Sequence, residues 1–260
     1  MYSNQLNTQV QSTKYPAEVH PLVSELFHTE RSSAETQIWR DLQHKEGAVW
    51  HRQADPQLLA ISERLAQKSN ELRHWQDGYS RVREEVELAR ALRHTVGESP
   101  LVARGIIPPD QAAHLEEQYR AMYKFLSLLT GDPTVVIDLR IEREGGFIEN
   151  FHRDFGTALL MTVHGPGPHF IQPDNVPSEH EGVFFRDQLP RVNELFEVPT
   201  LSLLAMRGKP NDSDVASGRG LWHSSPSKVW NGAVQWDCRV LLIATSPTST
   251  IIPPPPTGQF

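Results

Sequence analysis

The sequence predicts an α+β fold in which N-terminal helices pack on a C-terminal antiparallel jelly roll, a double-stranded β-helix. Two observations lead there. Apolar residues recur at helical spacing through residues 36–130, and beyond Pro133 the period shortens to that of strands. About seven or eight short strands then follow with no helix between them. That pattern argues for antiparallel sheets rather than a parallel α/β sheet, and a double-sheet jelly roll fits the count.

The elements follow in chain order. Residues 1–35 are polar and aperiodic and read as an N-terminal arm. Residues 36–133 read as a helical region packing on the barrel. Leu58, Ile61, Leu65 and Leu72 fall on one helical face, and Val82, Val86, Ala89 and Leu92 form a second stripe. The third stripe is Leu115, Tyr119, Met122, Leu126 and Leu129. Pro108-Pro109-Asp110 precedes it, with Asp110 as the expected cap, and Gly131-Asp132-Pro133 ends it. Residues 134–250 read as the double-stranded β-helix core. In it Val135, Ile137, Leu139 and Ile141 alternate with Val136, Asp138, Arg140 and Glu142. Further strands are expected at 147–154, 157–163, 201–208, 219–223 and 238–246. Residues 173–198 read as loop with a helical turn, and the Pro-rich tail 251–260 as an extended end.

Composition narrows the function classes. The net charge is −7, so non-specific binding to nucleic acid or to an acidic membrane, which needs a basic surface, is not expected. The single cysteine, Cys238, permits neither an internal disulfide nor a cysteine-rich zinc site. No apolar run is long enough to span a bilayer, and the N-terminus lacks the pattern of a signal peptide, so a cytoplasmic protein is expected. No Walker loop, strand-linked GxGxxG or GxSxG is present. Twelve histidines direct attention to metals.

The sharpest motif is Asn150-Phe151-His152-Arg153-Asp154. Residues two apart on a strand share a face, so His152 and Asp154 present an imidazole and a carboxylate together. His223, in Gly220-Leu221-Trp222-His223-Ser224-Ser225-Pro226, would add a third ligand. Two histidines and one carboxylate take one face of an octahedral iron(II) and leave the opposite face open. Arg239 opens the last apolar strand and, if buried, could clamp a carboxylate with two parallel hydrogen bonds. Asn150 shares the face of His152 and is a candidate to touch substrate. If Val135 to Ile141 pack on the helices, then Asp138, Arg140 and Glu142 face the barrel interior, and Arg140 becomes a second candidate for substrate binding. The alternative is a solvated outer face with charge pairs between strands. His164 and His169 flank GPGP and read as rim residues, with a histidine-rich metal site as the other reading.

On these residues the chain resembles the iron(II)/2-oxoglutarate-dependent oxygenases of the cupin-like double-stranded β-helix fold. The resemblance runs through His152, Asp154, His223 and Arg239 over residues 134–246. It implies iron(II) on His152, Asp154 and His223, 2-oxoglutarate as cosubstrate with Arg239 on its distal carboxylate, and O2 as oxidant. Because a long gap separates His223 from Arg239, Arg219 and Lys228 are alternative anchors. The implied activity is oxidation of a C–H bond by hydroxylation, desaturation or oxidative cyclisation. The implied substrate is a small molecule, such as an amino acid in a natural-product pathway. The segments GAVWHRQADP, NFHRDF, HGPGP, LWHSSP and CRVLLIAT are also similar to a bacterial cupin-like family of unknown function. Two other readings stay open. One is a metal-dependent cupin dioxygenase or isomerase that does not use 2-oxoglutarate, and the other is a non-catalytic cupin-like ligand-binding protein.

Overall fold

The computed structural model describes residues 17–19, 33–52, 55–69, 79–87, 102, 105–132, 134–142, 150–172, 175–177, 183–190, 195–209, 220–227, 229–230, 233–234 and 236–253. In chain order its elements are β1 (Ala17–Val19), α1 (Ser33–His44), β2 (Gly47–Trp50), α2 (Pro56–Gln67), β3 (Tyr79–Glu87), α3 (Pro109–Thr130) and β4 (Thr134–Glu142). There follow β5 (Thr157–His164), β6 (His169–Phe170), β7 (Phe196–Glu197), β8 (Leu203–Arg207), β9 (His223–Ser224), β10 (Val229–Trp230), β11 (Ala233–Val234) and β12 (Arg239–Ser246). This is an α+β chain whose sheets are antiparallel except where β1 joins β2 in parallel.

The large sheet has the order β1-β2-β8-β5-β12-β4-β3, and a three-stranded sheet has the order β7-β6-β9. Residues 151–152 extend the small sheet through two bridges, Phe151 with Phe184 and His152 with His223. From β4 onward the chain therefore alternates between sheets. It passes from β4 to 151–152, to β5, to β6 and β7, to β8, to β9 and then to β12.

Strand alternation sorts the side chains into layers. Val135, Ile137, Leu139 and Ile141 of β4, Leu159, Met161 and Val163 of β5, and Val240, Leu242 and Ala244 of β12 share one core with the helices. Their partners there include Leu58, Ile61 and Leu65 of α2 and Leu115, Met122, Leu126 and Leu129 of α3. Ala158 of β5 and Leu204 and Met206 of β8 point the other way and meet Phe170, Val198 and Leu221 in a second cluster. Full burial of each such aliphatic side chain contributes about 1.5–3 kcal/mol.

Helix ends follow local chemistry. Asp55 caps α2, its side chain accepting from the Gln57 and Leu58 amides, and Pro56 takes the first turn. In α3 the expected cap moves. Pro108 is the N-cap, with no side-chain bond, and Asp110 lies inside the first turn. Gly131, with φ 69°, ends α3 in the left-handed conformation that glycine adopts without a Cβ penalty.

The helical reading of 36–133 is corrected at two places. Residues 47–50 form β2 within the large sheet. Val82 and Val86 lie on β3, which pairs with β4 along all its nine residues, from Tyr79 opposite Glu142 to Glu87 opposite Thr134. A spacing of four satisfies a helix and is also twice the strand period, so the pattern alone could not decide. The exposed edge of β4 needs a hydrogen-bonding partner, and that tertiary demand outweighs propensity. Leu72, Ala89 and Leu92 lie outside the described residues, as does 147–149 of the expected strand 147–154. Residues 186–188 form the helical turn expected in 173–198. Among the described residues no helix is long and apolar enough to cross a membrane.

Candidate metal centre

His152 and His223 sit opposite one another and exchange both backbone hydrogen bonds, each 3.0 Å. Directly paired residues point their side chains to the same face. The two imidazoles accordingly lie together, centroids 4.4 Å apart and tilted by 52°. The opposite face is apolar. Phe151 stacks on Phe184 at 5.5 Å, Trp222 joins them, and the Arg153 guanidinium lies over the Trp222 ring. Phe151 and Trp222 are thus packing residues that fix the strands from behind. Asp154 is two residues beyond His152, and its backbone oxygen accepts from the Lys209 amide at 2.8 Å, tying it to the end of β8.

Each histidine is oriented by a carbonyl two residues earlier. His152 Nδ1 donates to the Asn150 oxygen at 2.8 Å, and His223 Nδ1 donates to the Leu221 oxygen at 3.0 Å. A carbonyl can only accept, so Nδ1 carries a proton in each ring, and Nε2 is the atom directed into the site, where a metal ion would take the place of a proton. Both Nε2 atoms face Asp154. His152 Nε2 is 3.5 Å from Oδ1 and His223 Nε2 is 3.3 Å from Oδ2. The three ligand atoms all lie within 4.8 Å of one another.

Burial opposes ionisation of Asp154, but hydrogen bonds and charge from His152 and His223 outweigh it and hold the carboxyl far below the usual range. Burial likewise pulls His223 down, while the Asp154 hydrogen bond and charge and the Leu221 carbonyl push it above the ordinary imidazole value. The His223 side chain is buried and Asp154 is half exposed, so the cluster opens on its carboxylate side. Two imidazole nitrogens and one carboxylate oxygen suit a divalent transition metal.

Arg239 lies on the inner face of β12 with Leu241 and Ile243, as alternation predicts, and is only 1% exposed. It already has partners. Nη1 donates to Glu142 Oε2 at 2.7 Å and Nε donates to the Pro166 carbonyl at 2.9 Å, leaving Nη2 outside both contacts. Glu142 is Arg239's register partner on β4 and is 2% exposed. Arg140 approaches the same carboxylate, its Nη1 3.9 Å from Oε1. The interior reading of this strand face therefore holds for Arg140 and Glu142. Gly165, at φ 79°, makes room for the arginine, because a Cβ there would come within 2.9 Å of Arg239 Cγ.

Glu142 is the functional-looking residue whose role the motif reading missed. Its inner-face alternation was visible in the sequence, but its pairing with Arg239 depends on strand register. Asn150 contributes its carbonyl to His152 and is half-buried. His164 and His169 are not part of the metal cluster. His169 contacts Arg186 through Nδ1 and lies 3.8 Å from Glu197 through Nε2. Burial, then Arg186 and Arg239, push it down to about 4, so it is neutral at pH 7. Arg219 and Lys228, the alternative anchors, lie outside the described residues. The long gap from His223 to Arg239 contains the hairpin β10–β11, an insertion that leaves Arg239 at the start of its strand.

No curated protein matches the chain. Several solved structures are similar to it, three of them as follows. A putative oxygenase from Shewanella oneidensis has a TM-score of 0.47 and 12% identity, over 92% of this chain and 92% of that one. A full-length Neurospora crassa protein, in complex with alpha-KG and 5-formyluracil, has a TM-score of 0.44 and 11% identity, over 91% of this chain and 86% of that one. A bsmA homolog from Methylobium petroleophilum PM1 has a TM-score of 0.39 and 14% identity, over 85% and 95%. Residues 33–236, which carry β2, α2, α3 and all three candidate metal ligands, match the family model described as Protein of unknown function (DUF1826), and the chain belongs to that family.

Proposed function

We propose that the chain is a non-haem iron(II)/2-oxoglutarate-dependent oxygenase built on a double-stranded β-helix spanning residues 134–250. The observation that carries this reading is the convergence of His152 Nε2, His223 Nε2 and the Asp154 carboxylate, with both imidazole tautomers fixed by backbone carbonyls. That donor set is the facial triad of oxygen-activating iron(II) sites. The alternation of strands between two sheets supports the fold assignment.

Iron(II) and 2-oxoglutarate, when bound, would supply O2 activation coupled to oxidative decarboxylation, giving succinate, carbon dioxide and an oxidised C–H bond. The chain's residues have definite tasks. His152, Asp154 and His223 hold the metal on one side and leave the other to cosubstrate and O2. Arg239 receives the distal carboxylate on its Nη2 side. Arg140 and Arg239 both approach the Glu142 carboxylate there, and Glu197 also acts on Arg239 by its charge. In this reading Arg140 and Asn150 are the residues assigned to substrate. The substrate is a small molecule, for example an amino acid of a natural-product pathway.

The test is oxygen uptake and succinate formation by iron(II)-loaded protein supplied with 2-oxoglutarate and a panel of amino acids. Succinate that depends on iron, O2 and 2-oxoglutarate is expected. One observation favours the reading of a metal-dependent cupin enzyme without that cosubstrate, namely that Glu142 already occupies Arg239. Substrate oxidation with no 2-oxoglutarate requirement would replace the first reading by this second one.

A further inference from the structure

Glu142 is a buried carboxylate beside the arginine that the proposed function assigns to another carboxylate. Its Oε2 takes Arg239 Nη1 at 2.7 Å. Its Oε1 is buried and makes no hydrogen bond among the described residues; the Arg140 guanidinium, 3.9 Å away, is too far for one. One oxygen of this carboxylate thus faces Arg140 at ion-pair distance without a hydrogen bond among the described residues, in a low-dielectric interior where a second carboxylate brought close to it is repelled strongly. A guanidinium as buried as Arg239 also cannot stand alone at low cost, and Glu142 keeps it charged and oriented before any ligand arrives.

We propose that Glu142 is the specificity-determining and positioning residue of the anchor: it holds one prong of Arg239, so that a ligand carboxylate is received single-pronged on Nη2 and against the charge of Glu142. This rests on the 2-oxoglutarate reading. One consequence follows. The advantage of a charged distal group over a neutral one of the same shape is small, because Glu142 cancels part of what Arg239 offers.

The experiment is an anaerobic titration of the iron(II) protein, followed by the metal-to-ligand absorption band. The ligands are 2-oxoglutarate, its distal-amide analogue 2-oxoglutaramate, and pyruvate, which has no distal carboxylate. Wild type and Glu142→Gln are compared. The Gln side chain keeps the shape and an acceptor for Nη1 while removing the charge. Glu142→Gln is expected to bind 2-oxoglutarate roughly ten-fold tighter, equivalent to about 1.4 kcal/mol, with pyruvate binding unchanged. A merely structural role for Glu142 would move both ligands together. If Glu142→Gln does not fold, wild type alone decides. It is expected to prefer 2-oxoglutarate over 2-oxoglutaramate by less than about ten-fold, and a preference of about a hundred-fold or more would overturn the inference. Unchanged or weaker 2-oxoglutarate binding in folded Glu142→Gln would also overturn it, while leaving the oxygenase reading intact. If wild type gives no band with either 2-oxoglutarate or pyruvate, the cosubstrate reading fails and this inference fails with it.

Discussion

Two polar clusters among the described residues, the metal cluster and the arginine cluster, are held in opposite ways. At the metal cluster the backbone does the orienting: the Asn150 and Leu221 carbonyls take the Nδ1 protons and leave both Nε2 atoms directed at Asp154. At the arginine cluster a side chain does it, and Glu142 takes part of the binding capacity of Arg239 while fixing it. Backbone acceptors leave a ligand set open, whereas a side-chain counter-ion neutralises what it orients. The first region is therefore left open to a metal ion, and the second is balanced between its own charges.

The largest effect that would break this contrast is loss of a metal ligand. His152→Ala is expected to lose iron and all turnover while its circular dichroism spectrum and melting temperature stay near those of the wild-type apoprotein. Full iron occupancy by metal analysis would show that His152 is not a ligand.

Next in size is Arg239→Ala. It leaves Glu142 buried without its hydrogen-bonded counter-ion and with only Arg140 nearby, at a cost of up to about 3–5 kcal/mol by denaturant unfolding. Charge-assisted hydrogen bonds contribute about 1.5–3 kcal/mol each, so 2-oxoglutarate binding should weaken about ten-fold to a thousand-fold with iron retained. Arg239→Ala combined with Glu142→Gln should recover much of the lost stability. Additive losses would mean that the pair is not coupled.

A purely apolar control sharpens the comparison. Leu126 is fully buried between α3 and the large sheet, so Leu126→Ala should cost about 2–5 kcal/mol. Iron affinity of the folded fraction should not change, because neither polar region touches this layer.

The pH dependence separates the regions further. In the metal-free protein His223 is raised above the ordinary value of 6.5 by Asp154. Its contribution to apoprotein stability is complete below that unfolded value and is lost as pH rises through the folded one. Iron must displace the same proton, so iron affinity should fall about ten-fold per pH unit below the folded value. Asp154, held low, remains anionic and adds no dependence in this range. Iron titrations across neutral pH would detect the slope, and a flat profile would contradict the assignment of His223. The smallest expected effect is that of chloride. With Asp154 filling the third ligand position, mass spectrometry of products formed in excess chloride should show oxidised and no chlorinated product.

The sequence carried the triad because its information is local. Alternation puts His152 and Asp154 on one face, and His223 stands out in a short motif. The large-sheet core was legible for the same reason, since Val135 to Ile141 repeat with period two. What was not legible depends on register and on edges. The pairing of Glu142 with Arg239 joins residues far apart in the chain. Strand β3 exists because β4 presents an edge, and its Val82–Val86 spacing fits helix and strand alike. The hairpin β10–β11 lengthens the gap before Arg239 without moving it from the strand start, which counting residues could not show.

The most direct test of the metal centre is iron content after anaerobic reconstitution of wild type and His223→Ala. The expected result is one iron per wild-type chain and none retained by His223→Ala after desalting, with both proteins folded. Full occupancy in His223→Ala would contradict the triad and with it the proposed oxygenase site.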